Sequence, residues 1–290
     1  MKVKVAIAQM KMSWDIADNL TRAEELVRKA ARQGAEVILL PELFKTPYFC
    51  QREDYGYFAL AEEAESSPLI ARFQKLAGEL HVVLPISFFE RAGNVHFNSL
   101  MMIDADGSRL GLYRKAHIPT GECYEEKFYF SPGDTGFKVY KTKFGRIGVG
   151  ICWDQWFPEV ARSLALMGAQ LILYPTAIGS EPVLPKDSKN HWQNAMRGHA
   201  AANIVPVAAA NRIGAESDKN SSMTFFGSSF IADQEGELIV ELSRSEESIA
   251  IAEFDLDVID RQRISWGVFR DRRPDLYTSL VKLDDSKKKE

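Results

Sequence analysis

Three reactive side chains each stand directly beyond an apolar run. Cys152 follows Arg146-Ile-Gly-Val-Gly-Ile151 and precedes Pro158-Glu-Val-Ala-Arg-Ser-Leu-Ala-Leu-Met167. It therefore occupies a turn from a buried strand into a helix with Pro near N1 and Glu in its first turn. A thiol placed there can be held out into a cleft, with the helix end favouring its thiolate. The same position also suits an inert core thiol, since free Cys is among the most buried residue types. Glu42 follows Val37-Ile-Leu-Leu-Pro41. That sets a carboxylate at the strand edge where open α/β sheets bind ligands, or makes it a loop cap. Lys115 ends a third apolar stretch, as a site cation or as an ordinary solvated lysine.

Other chemistries find little support. The five histidines are His81, His96, His117, His191 and His199, and none sits in a pattern marking it as the base for a Cys nucleophile. His191 and His199 share a face of a predicted helix, but no third ligand stands at a metal-site spacing, so no metal is expected. Phosphate-loop, His-Glu-x-x-His and Gly-x-Ser-x-Gly patterns are absent. Gly145-Arg-Ile-Gly-Val-Gly150 has the wrong order for a dinucleotide fingerprint and lies inside a strand.

The elements that must position these groups alternate between strand and helix. Val3–Met10 reads as a strand. Asp15 then caps a helix with Ile16, Leu20, Ala23, Leu26, Val27 and Ala30 on one face, ended by Gly34. Residues 36–40 form a buried strand, and a second helix starts at Ser67-Pro68. Strands follow at 82–89, 96–104 and 109–113, with turns at Gly93-Asn94 and Asp106-Gly107. An irregular stretch from 116 to 136 carries Tyr124, Phe128, Tyr129 and Phe130, too aromatic for disorder. The pattern then restarts: strand 146–151, helix 158–167, strand 170–174, helix 188–202 and strand 204–209, with later strands at 228–232, 237–241 and 248–254. Gly34-Ala-Glu-Val-Ile-Leu-Leu-Pro41 echoes Gly168-Ala-Gln-Leu-Ile-Leu-Tyr-Pro175. The echo predicts a layered α/β sandwich of two related halves with mixed sheets.

Bulk properties bound the rest. A chain of 290 residues with 46% hydrophobic residues can bury a sizeable core as one domain. We expect a single domain over 1–281 and a charged, mobile tail over 282–290. A net charge of -4 gives no reason to invoke nucleic acid. No apolar run is long enough to span a bilayer, and the N-terminus alternates like a strand instead of carrying a signal-peptide core. Three cysteines without a Cys-x-x-Cys pair fit a reducing cytoplasm.

Taken together, Leu40-Pro-Glu-Leu-Phe44, Tyr113-Arg-Lys-Ala-His-Ile-Pro119 and Gly150-Ile-Cys-Trp-Asp154 resemble the nitrilase superfamily of carbon–nitrogen hydrolases. The three segments stand in family order and span most of the chain. The resemblance implies a four-layer αββα sandwich, a Glu42-Lys115-Cys152 triad, no cofactor and a homo-oligomer. Glu42 would act as base and then acid. Lys115 would lower the thiol pKa and stabilise an oxyanion, with a backbone N–H beside Cys152 as second donor. Members also carry a second Glu in the loop after the Lys. Glu126 matches best, with Glu122 and Glu125 competing.

The residues after the thiol bear on substrate. Members that hydrolyse N-carbamoyl-D-amino acids carry arginines there to grip a carboxylate, and this chain has Asp154-Gln-Trp156. An acidic substrate is disfavoured, although Arg197 and Arg212 remain available. The run Cys152–Glu159, with Ile178-Gly-Ser-Glu-Pro182, His191-Trp192 and Ala210-Asn-Arg-Ile-Gly214, is similar to members that cleave N-carbamoylputrescine, a small ureido-amine. A substrate ammonium wants carboxylate or aromatic partners. Glu181 is the candidate carboxylate, and Trp153, Trp156 and Tyr124 are candidate walls. The C-terminal run Trp266–Tyr277 mixes aromatics and arginines as interfaces do, or packs on its own domain.

Overall fold

The computed structural model describes residues 1–180 and 187–284; Glu181 and most of the expected tail lie outside them. In the first half, β1 (Lys2–Gln9), α1 (Ile16–Arg32), β2 (Val37–Leu39), α2 (Pro68–Leu80), β3 (Leu84–Ala92), β4 (Val95–Ile103) and β5 (Arg109–Arg114) follow one another. A short α3 (Glu126–Tyr129) lies in the aromatic loop. Next come β6 (Lys138–Thr142), β7 (Gly145–Val149), α4 (Pro158–Leu166), β8 (Leu171–Pro175), β9 (Gly179–Ser180), α5 (Lys189–Asn203) and β10 (Val207–Ala210). The chain continues with β11 (Ile213–Asp218), β12 (Ser221–Phe226), β13 (Phe230–Ala232), β14 (Leu238–Glu241), β15 (Ser248–Asp255) and α6 (Leu256–Trp266).

Local sequence explains the helix boundaries. Asp15 accepts from Asp18 N at the start of α1, and Ser67 accepts from Ile70 N before Pro68 opens α2; both satisfy otherwise orphaned N–H groups. Gly34 follows α1 at φ 87°, a left-handed position that costs glycine little.

The two halves build sheets of the same order. One runs β14-β13-β10-β8-β7-β6. The other runs β15-β1-β2, then across a parallel bridge between Val37 and Val83 into β3-β4-β5. In each, two parallel crossovers are flanked by antiparallel strands. The echoed segments at 34–41 and 168–175 are β2 and β8, at equivalent places in the two sheets.

Strand periodicity then makes four layers. Side chains alternate faces along a strand. Val3, Val5 and Ile7 of β1 pack with Leu171 and Leu173 of β8 between the sheets. Ala6 and Ala8 of β1 turn outward onto Val27 of α1 and Phe73 of α2, while Ile172 and Tyr174 of β8 turn onto Leu164 of α4 and Trp192 and Met196 of α5. The result is helix, sheet, sheet, helix. Among the described residues, no helix is long and apolar enough to cross a membrane.

Candidate active site

Glu42, Lys115 and Cys152 sit just past β2, β5 and β7; Glu42 and Lys115 are in direct contact, and Cys152 lies within reach of both charges. Lys115 N donates to Asn98 O (2.8 Å) on the adjacent strand β4. Gly133 folds the aromatic loop back on this strand end, its N–H donating to Lys115 O at 2.8 Å. A Cβ there would stand 2.1 Å from Arg114 O, so only glycine permits the approach. That return brings Glu126, at the start of α3, against Lys115.

The Lys115 ammonium is fully buried and bonds both carboxylates, Glu42 Oε1 at 2.9 Å and Glu126 Oε2 at 2.6 Å. Each carboxylate has one further partner: Asn98 Nδ2 donates to Glu42 Oε1 at 2.6 Å, and Tyr48 OH donates to Glu126 Oε1 at 2.6 Å. Both oxygens of Glu126 thus have a partner. Glu42 Oε2 is buried with no protein hydrogen-bond partner. Glu122 and Glu125 do not reach Lys115; Glu122 is exposed on a pocket wall, and Glu125 is half-buried, its N–H on Cys50 O (2.7 Å).

Cys152 opens a 3₁₀ turn, Cys152–Trp156, that separates β7 from α4. Its φ is 42°, a strained value for a side-chain-bearing residue and one that clusters at functional sites. Two features hold the turn. Gly150 leaves room for Tyr174, whose ring a Cβ would meet at 2.7 Å. Buried Asp154 accepts from Ile151 N (2.9 Å), Tyr113 OH (2.7 Å) and His117 N (3.0 Å), and its Oδ1 lies 2.7 Å from His117 Nδ1. Asp154 therefore ties the Cys152 turn to the chain around Lys115, and does not line the cavity. Gln155 supports the wall from behind, accepting from Trp192 Nε1 (2.9 Å) and Thr176 Oγ1 (3.0 Å).

Lys115 acts on the thiol in the expected direction but is outweighed. Burial pushes the Cys152 thiol well above the ordinary cysteine range, Glu42 pushes it further, and Lys115 only partly opposes them. The thiol stays protonated, donating to Ala177 O at 3.6 Å. Lys115 lowers the thiol, but desolvation first and then the two buried carboxylates outweigh it. Burial works against the Lys115 charge, but Glu126 and Glu42 hold it well above the usual lysine range. Burial also raises Glu126, with Lys115 pulling it back and Glu42 pushing it up.

A cavity of about 170 Å³ opens onto Cys152, walled by Trp153, Trp156, Tyr124 and Ile178. Trp153 and Trp156 meet edge to face at 6.2 Å, and Tyr124 OH accepts from Gly179 N at 3.1 Å. Glu122 is the one charged wall residue among those described. The two arginines held open as carboxylate ligands are elsewhere. Arg212 is fully buried and bonded to Glu216, and Arg197 donates to Gly236 O at 2.7 Å. No group of three metal-binding side chains occurs among the described residues.

Residues 4–264 match the family model described as carbon-nitrogen hydrolase. The chain belongs to this family. It is 54% identical over 291 residues to an N-carbamoylputrescine amidase of Oryza sativa subsp. japonica, covering 99% of this chain and 97% of that one. It is also 53% identical over 281 residues to a citrullinase of Francisella tularensis subsp. tularensis, covering 97% and 98%. Among solved structures, a carbon-nitrogen hydrolase from Helicobacter pylori G27 superposes with a TM-score of 0.92 at 38% identity, covering 98% of this chain and 99% of the other. This hydrolase therefore has the nitrilase-type αββα sandwich, and its reaction class is cleavage of non-peptide carbon–nitrogen bonds.

Proposed function

We propose that this hydrolase cleaves N-carbamoylputrescine to putrescine, carbon dioxide and ammonia, and so works in polyamine synthesis. One observation carries the choice of substrate: the cavity over Cys152 is aromatic, and its charged wall residue is a carboxylate. Such a lining suits a ureide whose far end is an ammonium. Glu122 is a candidate partner for that ammonium. Glu181, proposed from sequence, remains a second.

In the proposed mechanism, the Cys152 sulfur attacks the ureido carbonyl as its proton passes to the free Glu42 Oε2. Lys115 and a backbone N–H beside Cys152 stabilise the oxyanion. Glu42 returns the proton to the leaving nitrogen, and putrescine departs from a carbamoyl-thioester. Water, deprotonated by Glu42, then releases carbamic acid, which falls to carbon dioxide and ammonia, and the thiol is restored. Glu126 fixes Lys115. No metal or cofactor enters this scheme.

The similarity to a citrullinase favours a second reading. Citrulline carries the same ureido group but ends in both an ammonium and a carboxylate. Among the described residues, no cation on the cavity wall meets that carboxylate. Comparing kcat/KM for N-carbamoylputrescine, citrulline and N-carbamoyl-β-alanine decides. We expect N-carbamoylputrescine to lead, and equal or better turnover of citrulline would overturn the assignment.

We further propose that residues 1–281 act as one domain, that the enzyme is a cytoplasmic homo-oligomer, and that it binds neither nucleic acid nor membrane. Three free thiols support a reducing compartment. Exposed Ile264, Trp266, Leu280 and Val281 near the C-terminus support association.

A further inference from the structure

Outside the cavity, Arg212, between β10 and β11, is the most heavily hydrogen-bonded buried charge among the described residues. It is fully buried. Nη1 donates to both oxygens of buried Glu216 (2.8 and 2.9 Å) and to Thr46 O (3.4 Å). Nη2 donates to Glu42 O (2.8 Å) and Leu43 O (3.1 Å). Glu216 in turn accepts from Tyr48 N at 2.5 Å. One ion pair thus grips residues 42 to 48 at both ends.

Both ends bear on the active site. The side chain of Glu42 bonds Lys115, and that of Tyr48 bonds Glu126. Between them Leu43 takes a φ of 49°, which an ordinary residue holds only when its surroundings over-determine it. Ser87 Oγ accepts from Leu43 N (3.1 Å), so donors and acceptors fix Leu43 from both sides. A planar guanidinium can address a carboxylate and three carbonyls at once; an ammonium cannot.

We propose that Arg212, braced by Glu216, is a positioning residue: it holds the Glu42–Tyr48 segment so that the Glu42 and Glu126 carboxylates converge on Lys115. The inference rests on the reading of Glu42 as the base. Arg212 neither lines the cavity nor bonds Cys152, and acts through the backbone it holds.

The test compares Arg212→Lys, Arg212→Met and Glu216→Gln with Glu42→Gln. N-carbamoylputrescine turnover is measured per folded enzyme, with the folded fraction taken from thermal melts. Displacing a catalytic group by about an ångström costs on the order of 10²-fold, so kcat should fall by that order in Arg212→Met. KM should stay within a few-fold, and the acid limb of the kcat/KM–pH profile should move. Arg212→Lys should recover part of the loss. Should Arg212→Met not fold, Arg212→Lys and Glu216→Gln carry the test. Variants that melt lower yet keep the wild-type kcat and pH profile would overturn the clamp. Retained turnover in Glu42→Gln overturns the reading beneath it, and the clamp with it. Lost turnover in Glu42→Gln with wild-type kcat in the clamp variants overturns the clamp alone.

Discussion

Replacing Lys115 by Met tests the charge balance of the site directly. The substitution keeps the unbranched stem and removes the ammonium, which makes two buried bonds, at 2.9 Å to Glu42 and 2.6 Å to Glu126. Each charge-assisted bond contributes about 1.5–3 kcal/mol, and breaking a buried ion pair from one side costs about 3–5 kcal/mol. The two routes agree on a loss of roughly 3–5 kcal/mol. At roughly 2–3 °C per kcal/mol for a chain of this size, the melting point should fall by roughly 6–15 °C. The loss should depend on pH. Burial already raises Glu126, and Lys115 is the group that pulls it back; without Lys115 it rises further. A carboxyl whose folded pKa is raised binds a proton that the unfolded chain has released. Its folded form is therefore most favoured below the ordinary carboxylate range and loses stability as pH climbs towards the folded value. The gap between wild type and Lys115→Met should be smaller near about pH 5 than near about pH 8. Differential scanning calorimetry at both pH values measures it. A penalty under about 1 kcal/mol at the higher pH, or one equal at both, would show that the carboxylates do not depend on Lys115.

Three further outcomes follow from the same site. Cys152→Ser should lower turnover of N-carbamoylputrescine by at least about 10³-fold with an unchanged melt; near-normal turnover would remove Cys152 as nucleophile. Because burial and Glu42 raise the thiol pKa, an ultraviolet thiolate signal that disappears in Cys152→Ala should be missing at neutral pH and grow only on alkaline titration. Such a signal at neutral pH would mean a preformed ion pair instead of coupled proton transfer. Glu122→Gln should raise KM for N-carbamoylputrescine roughly fivefold, the scale of an exposed charge pair, while KM for uncharged N-butylurea stays constant. Equal effects on both substrates would place the ammonium elsewhere.

The fold was legible where periodicity was strong. Helices at 15–33 and 67–80 carried apolar stripes and caps, and the echo between 34–41 and 168–175 fell on equivalent strands β2 and β8. The hairpin of β11 and β12 gave no such signal. Ile213–Asp218 and Ser221–Phe226 mix small and polar residues with few β-branched ones, and their turn is Lys219-Asn220, with Lys219 at φ 48° and no glycine to announce it. The strand expected at 204–209 begins at Val207, because Ile204 is spent in the left-handed cap of α5. A cap filled by a β-branched residue is rare enough that sequence alone argues against it.

Within the site, residue types were legible and their electrostatic consequences were not. Glu42, Lys115 and Cys152 could be picked out because each ends an apolar run. Asn98, inside β4, and Tyr48, in the loop after Pro47, complete the carboxylate bonding, and neither ends an apolar run or belongs to a recognisable motif. Arg212 looked like a spare cation, and its four acceptors come from segments about 170 residues away in the chain and from Glu216 beside it. The thiol shows why this matters for mechanism. Its chain position, before a helix and in a set with a lysine, argues for a thiolate. Desolvation pushes the thiol up most, however, and the two buried carboxylates that share that lysine add to it. A thiol in that field cannot shed its proton to the surroundings; it needs an acceptor within the same pocket. Glu42 Oε2, buried and without a protein partner, is the acceptor that the proposed mechanism assigns, with proton loss coupled to attack.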